Sequence, residues 1–169
     1  MGNLESELLG DIFARLEEII GEKAVKLLKN RIGESTNDVP KAVFEIATYM
    51  GETFGQRGAN SVLRELGRAV AKDLMNAHSQ SEWERIFKEG LKLLGFAEGV
   101  KRKGRRACIC SCVFYPRFLS NIGLEAMQHP VCWIGLGFVE GFMRAFTGAK
   151  GVKFSERNLK ENACWFEIL

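Results

Sequence analysis

Five cysteines and two histidines are the residues of this chain best suited to chemistry, and Cys108, Cys110, Cys112, Cys132 and Cys164 all fall in the last third of its 169 residues. Three of them alternate in Cys108-Ile109-Cys110-Ser111-Cys112, a spacing that invites a metal. Strand geometry speaks against one. Successive same-face residues of a strand stand about 6.6 Å apart, whereas two sulfurs on one tetrahedral zinc are only about 3.8 Å apart. Small apolar thiols lining a sheet face explain the pattern more simply. A second set is Cys132, Glu156 and Cys164, with His129 nearby. Thiolate, carboxylate and imidazole are all zinc ligands, and these positions fall at the start of a late helix and on two strands of a hairpin. Isolated cysteines are mostly packing groups, so spacing alone leaves both readings open.

No catalytic constellation is visible. His78 and His129 lie in different segments, no Gly-rich phosphate loop follows a strand, and no G-x-S-x-G elbow is present. Residues 101–106 place five cations around Gly104 but interleave no aromatic to stack on a base, and 24 basic against 21 acidic residues is too balanced to argue for nucleic acid. With 46% hydrophobic and 27% charged residues, the composition is that of a packed protein. The longest apolar stretch, 131–146, carries Glu140 and Arg144 and falls short of the roughly 20 apolar residues a bilayer needs. The first six residues fit the myristoylation pattern M-G-x-x-x-S but lack the basic and apolar blocks of a secretory signal. The expected location is cytoplasmic, with the thiols reduced.

The elements that must position these groups follow from periodicity. Leu4, Leu8, Ile12, Leu16 and Ile19 form one helical stripe, which Gly21 interrupts, and Ala24, Val25, Leu28 and Ile32 form a second. Gly33 and Ser35-Thr36-Asn37-Asp38 supply a stop and a loop, and Pro40 opens the next helix, with Gly51 and Gly55 as points of close approach or breakage. A further helix runs through Val62, Leu66, Val70 and Leu74, and Ser81-Glu82-Trp83-Glu84 has the spacing of a capping box for another that ends at Gly95. Past Gly99 the pattern predicts a hairpin through Gly104 into a strand over 107–115, with Cys108, Cys110, Cys112 and Phe114 on one face. A helix over 131–147 and a hairpin of 152–158 with 163–169 complete a single α+β domain, helical to about residue 98. The late helix is apolar on nearly every side, and Gly135, Gly137 and Gly141 admit a backbone or ligand at close range. Phe138 and Phe142 of that helix, with Phe114, Tyr115, Phe118 and Trp133, are candidates to line an apolar pocket, the alternative being an ordinary core.

The run Gly123-Leu124-Glu125-Ala126-Met127-Gln128-His129-Pro130-Val131-Cys132-Trp133, followed by Gly137, Gly141, Glu156 and Cys164-Trp165-Phe166-Glu167-Ile168, resembles the 4-vinyl-reductase (4VR) domain, also called the predicted hydrocarbon-binding domain. Its Pro-Val-Cys-Trp core is similar to the sensor domain of bacterial activators that respond to phenols and toluene-like aromatics. Arg64-Glu65-Leu66-Gly67-Arg68 resembles the family's earlier helix. The resemblance implies a helical layer on a small antiparallel sheet, as in the TRAPP vesicle-tethering subunits, with a buried ligand cavity and a homodimer. It also implies a structural zinc held by Cys132, Glu156 and Cys164, with iron as the alternative metal for the same ligands. Leu159 stands where a further cysteine is expected, which leaves the fourth position to His129, one of Cys108, Cys110 or Cys112, water or ligand. The leading expectation is a binding or sensory domain for an apolar small molecule. The alternatives are a metal-dependent or tetrapyrrole-related enzyme or accessory subunit, and a dimeric assembly subunit.

Overall fold

The apolar stripes of the first half become helices. A computed structural model describes residues 4–33 and 37–169, so Met1, Gly2 and Asn3 of the lipidation pattern and Ser35 and Thr36 of the expected loop lie outside the described residues. Helices α1 (Leu4–Ile20) and α2 (Glu22–Ile32) bury Leu8, Ile12, Leu16, Val25 and Leu28, and are parted by Gly21. The Asp38 carboxylate accepts the Lys41 N–H at the start of α3 (Val39–Ala77), with Pro40 in the first turn. The two expected central helices are one element of 39 residues, kinked at Gly55, whose φ of 75° lies outside the helical region.

Helix α4 (Trp83–Leu94) stops at Gly95, in the left-handed region at φ 97°. The expected capping box does not form. Ser81 sits inside a short 3-10 turn, Gln80–Glu82, and its hydroxyl faces Ser79 at 3.2 Å. The turn is fixed instead by Trp83, whose indole N–H donates to the Met75 carbonyl at 3.0 Å.

Strands β1 (Gly99–Lys103), β2 (Arg106–Cys110), β3 (Val152–Asn158) and β4 (Ala163–Ile168) form an antiparallel sheet in the order β1-β2-β4-β3. Ala107, Ile109, Phe166 and Ile168 join the helical core from its inner face, making the fold α+β. The strand expected over 107–115 ends at Cys110, because Ser111 adopts φ 66°. A π-helical turn at Tyr115–Leu119 and a 3-10 turn at Ser120–Ile122 follow. Helix α5 (Val131–Thr147) lies against α3 so closely that Gly67 and Gly137 each face the other helix's backbone. Beside this crossing the buried Glu140 accepts from Arg64, Arg68 and the Val152 N–H. Among the described residues no helix is long and apolar enough to cross a membrane.

One polar pair ties α1 to α3 and carries a pH dependence. Arg15 grips Asp73 through Nε and Nη2, at 2.7 and 2.6 Å. Asp11 stands beside Asp73 with its Oδ2 buried and without a donor among the described residues. Burial first, and then the hydrogen bond to Asp73, raise the Asp11 carboxyl from its ordinary 3.8 to about 7. A carboxyl whose folded value exceeds its unfolded value makes the fold less stable as pH rises between the two. Asp11→Asn keeps a donor toward Asp73, so it is expected to raise the melting temperature at pH 8 and to raise it distinctly less at pH 5, which lies low in that window. Equal effects at both pH values would contradict this account.

Candidate ligand cavity

Two local departures from strand alternation decide which side chains meet beside α5. The left-handed turn at Ser111 ends the β2 alternation. Cys108 and Cys110 therefore lie on the outer sheet face, opposite the core residues Ala107 and Ile109, while Cys112 swings inward beside Ile109. The three thiols do not share one face. Burial pushes the Cys108 thiol up to about 11, and Cys110 reaches the Gly99 carbonyl at 3.4 Å.

The second departure is a β-bulge in β3 between Phe154 and Glu156. Phe154 pairs with Phe166, but beyond the bulge Glu156 pairs with Trp165 and Arg157 with Cys164. Unbroken alternation would have set Glu156 opposite Cys164; one extra residue moves it to the outer face and brings Arg157 inward. Glu156 there pairs with Arg106 at 2.5 Å, whose guanidinium lies over the Trp165 ring at 4.7 Å.

The result is a small, partly open cavity of about 30 Å³ between α5, the inner sheet face and the 111–127 segment. Phe96, Ile109, Phe114, Leu119, Met127 and Phe166 make its surface almost wholly apolar, and Gly135 lets the Phe96 ring lie close over α5. Cys112, Cys132, Cys164, Tyr115 and Arg157 complete it. Asn162 fastens this end of the sheet: its side-chain amide donates to the Cys112 carbonyl at 2.9 Å and its Oδ1 accepts from Arg157 Nη2 at 2.6 Å. Burial pushes the Cys132 thiol up to about 12. Burial likewise raises Cys164, and Arg157 beside it pulls only partly the other way.

Of the candidate pocket residues, Phe114 and Tyr115 line this cavity, whereas Trp133, Phe138 and Phe142 do not. Phe138 and Phe142 are fully buried on the α4 side of α5, where both rings pack on Phe87. Trp133 faces α3, with the Arg64 guanidinium 6.0 Å from its ring and its indole N–H reaching the Met127 carbonyl. Phe118 lies outside the cavity and stacks on Phe44 at 4.4 Å. Phe96, Leu119, Met127, Arg157 and Phe166 are lining residues that periodicity did not single out. Arg157 could have been found only by locating the bulge, and nothing in Phe154-Ser155-Glu156 marks one.

Of the four candidate metal ligands, Cys132 and Cys164 come to the same cavity and Glu156 and His129 do not. His129 stacks on Phe44 at 4.5 Å, and both ring nitrogens are engaged. The Val131 N–H donates to Nδ1 at 3.0 Å, and Nε2 meets the Thr48 hydroxyl at 3.2 Å. Burial lowers this imidazole to about 4. Among the described residues no three His, Cys, Asp or Glu side chains are grouped to hold a metal ion. Thiols with a guanidinium at 3.5 Å from one of them, and without a group of three donors among the described residues, are a poor donor set for zinc or iron. Elemental analysis of protein purified without chelator is expected to give less than about 0.2 zinc or iron per chain. Stoichiometric metal that disappears in Cys132→Ser would contradict that reading.

No protein-family model, curated protein or solved structure matches this chain.

Proposed function

We propose that this chain is a binding domain for a small apolar molecule, held where α5, β4 and the 111–127 segment meet. The observation that carries this reading is the small, almost wholly apolar cavity with Arg157 as the one charged residue among those lining it. Sites for small molecules combine these features: an apolar lining and a few fixed polar groups. The resemblance of residues 123–133 to the 4VR domain leads to the same ligand class.

The cavity as it stands holds a guest no larger than a water, whereas a cavity that takes benzene measures about 150 Å³. Binding therefore goes with an outward shift of the 111–127 segment. That roof is built from short turns, with Ser111 and Met127 both at φ 66°, a conformation that side chains other than glycine adopt at a cost. On its outer side it is fastened by exposed contacts, Arg117 to Asp38 at 2.7 Å and Gln56 to the Gln128 carbonyl at 2.7 Å. Exposed ion pairs of this kind contribute about 0.2–1 kcal/mol, so they yield readily to a guest.

Native mass spectrometry of the gently purified chain tests the proposal. The expected result is a retained apolar adduct, or saturable uptake of added toluene, and the same spectra report the homodimer that the family resemblance implies. A chain that neither retains an apolar molecule nor takes up toluene would overturn the reading.

A further inference from the structure

We infer that the guest carries a carboxylate, so that the ligand is a small amphipathic anion with its apolar body against Phe96, Phe114 and Phe166 and its acid group on Arg157. This deepens the proposed function and rests on the cavity being a binding site.

The reason lies in how the chain treats its arginines. Six are half-buried, namely Arg15, Arg64, Arg68, Arg85, Arg106 and Arg157. Five of these have a carboxylate: Asp73 for Arg15, Glu140 for Arg64 and Arg68, Glu89 for Arg85, and Glu156 for Arg106. Among the described residues no ion pair engages Arg157. Its Nη2 donates to the neutral amide oxygen of Asn162 at 2.6 Å, its Nη1 reaches only the Cys164 sulfur at 3.5 Å, and one face lies 4.9 Å from the Tyr115 ring. Its Nε is buried without any acceptor. A half-buried cation with no counter-charge among the described residues, and with one buried N–H left open, is costly to retain.

The surroundings cannot supply that counter-charge. The cavity wall contains no carboxylate, and burial holds the nearby Cys132 and Cys164 thiols in their neutral form. Nη1, beside the cavity-lining Cys164, is only weakly engaged, while the open Nε–H points along the other edge of the guanidinium, beside Nη2 and Asn162. A carboxylate accepts a charge-assisted hydrogen bond from Nη1 in place of the Cys164 sulfur, which is a weak acceptor that it can displace. A phosphate is less suited, because Arg157 is the single charged residue among those lining the cavity. The bulge in β3 exists at the one place that turns this cation inward and its acidic neighbour Glu156 outward.

Three probes of similar shape test the inference on the full chain: benzoate, benzamide and toluene, titrated by calorimetry at pH 7.5. The native chain is expected to bind benzoate at least about tenfold more tightly than benzamide, since hydrogen bonds to a charged group are the stronger kind. Arg157→Met is expected to abolish that preference, so that benzoate binds no more tightly than benzamide. Arg157→Gln, which removes the charge but keeps a polar head, serves if the methionine variant does not fold, and is expected to lose the preference as well. Toluene binding without a preference for benzoate, or a preference that survives these substitutions, overturns the carboxylate inference and leaves the apolar binding site standing. Failure of all three probes to bind overturns both.

Discussion

Gly137→Ala is expected to destabilise the fold by at least about 3 kcal/mol, a large share of the roughly 5–15 kcal/mol that holds a domain together. A β-carbon at this position would fall inside contact distance of the Arg64 carbonyl oxygen, with the Arg64 carbonyl carbon at 2.8 Å. The neighbour is backbone, so no rotamer change relieves the overlap. The facing residue offers no relief either, because a β-carbon on Gly67 would meet the Ile134 carbonyl oxygen and lie 2.7 Å from the Phe138 nitrogen. Alanine gains about 1 kcal/mol over glycine in helix propensity, too little to offset the separation of α3 from α5. Gly10 is the internal control: it is exposed in α1, and a β-carbon there would meet nothing within 4 Å, so Gly10→Ala is expected to stabilise by up to about 1 kcal/mol. Urea unfolding of both variants measures the contrast, and a Gly137→Ala protein as stable as the native chain would contradict the crossing.

Glu140→Ala is expected to cost about 3 kcal/mol, for a different reason. Glu140 is fully buried and accepts four hydrogen bonds: Arg64 at 3.2 and 2.6 Å, Arg68 at 2.8 Å and the Val152 N–H at 2.8 Å. Burial alone would raise its pKa, but Arg64, the Val152 N–H and Arg68 together outweigh burial and hold the carboxyl below its ordinary range. A depressed carboxylate contributes stability above its unfolded value and loses it as pH falls through its folded value. Truncating it leaves two half-buried cations and a backbone donor without their acceptor, and removing one partner of a buried pair costs about 3–5 kcal/mol. The lower end applies because both arginines are partly exposed and can reach water. Replacing Arg64, Arg68 and Glu140 together by Met is expected to recover most of the loss, since the penalty arises from unpaired charge. Thermal melts across pH 4–8 measure both effects.

The helices were legible because their apolar residues repeat with the helical period and stop at glycines. The helix expected over 131–147 and the hairpin of 152–158 with 163–169 fall within a residue of α5, β3 and β4. Gly137 and Gly141 were readable as points of close approach, and their neighbours are α3 residues. The site was less legible, because its make-up depends on two single-residue departures from alternation. Ser111 sends Cys112 away from the face of Cys108 and Cys110, and the bulge exchanges Glu156 for Arg157. Period-2 reading assigns faces correctly only up to such a point, since one residue of slip reverses every later side chain. Trp133, Phe138 and Phe142 illustrate a separate limit: in α5, apolar on nearly all sides, periodicity cannot tell the side facing the cavity from the side facing α3 or α4.

A methyl-resolved NMR titration of the chain with toluene tests most directly whether the space beside α5 is a binding site. The predicted result is saturable shifts concentrated on the methyl groups of Ile109, Leu119, Ala126 and Met127, which line the cavity. Shifts centred instead on Val100 and Met143, in the open groove between α4 and β1, or no saturable shifts at all, would contradict it.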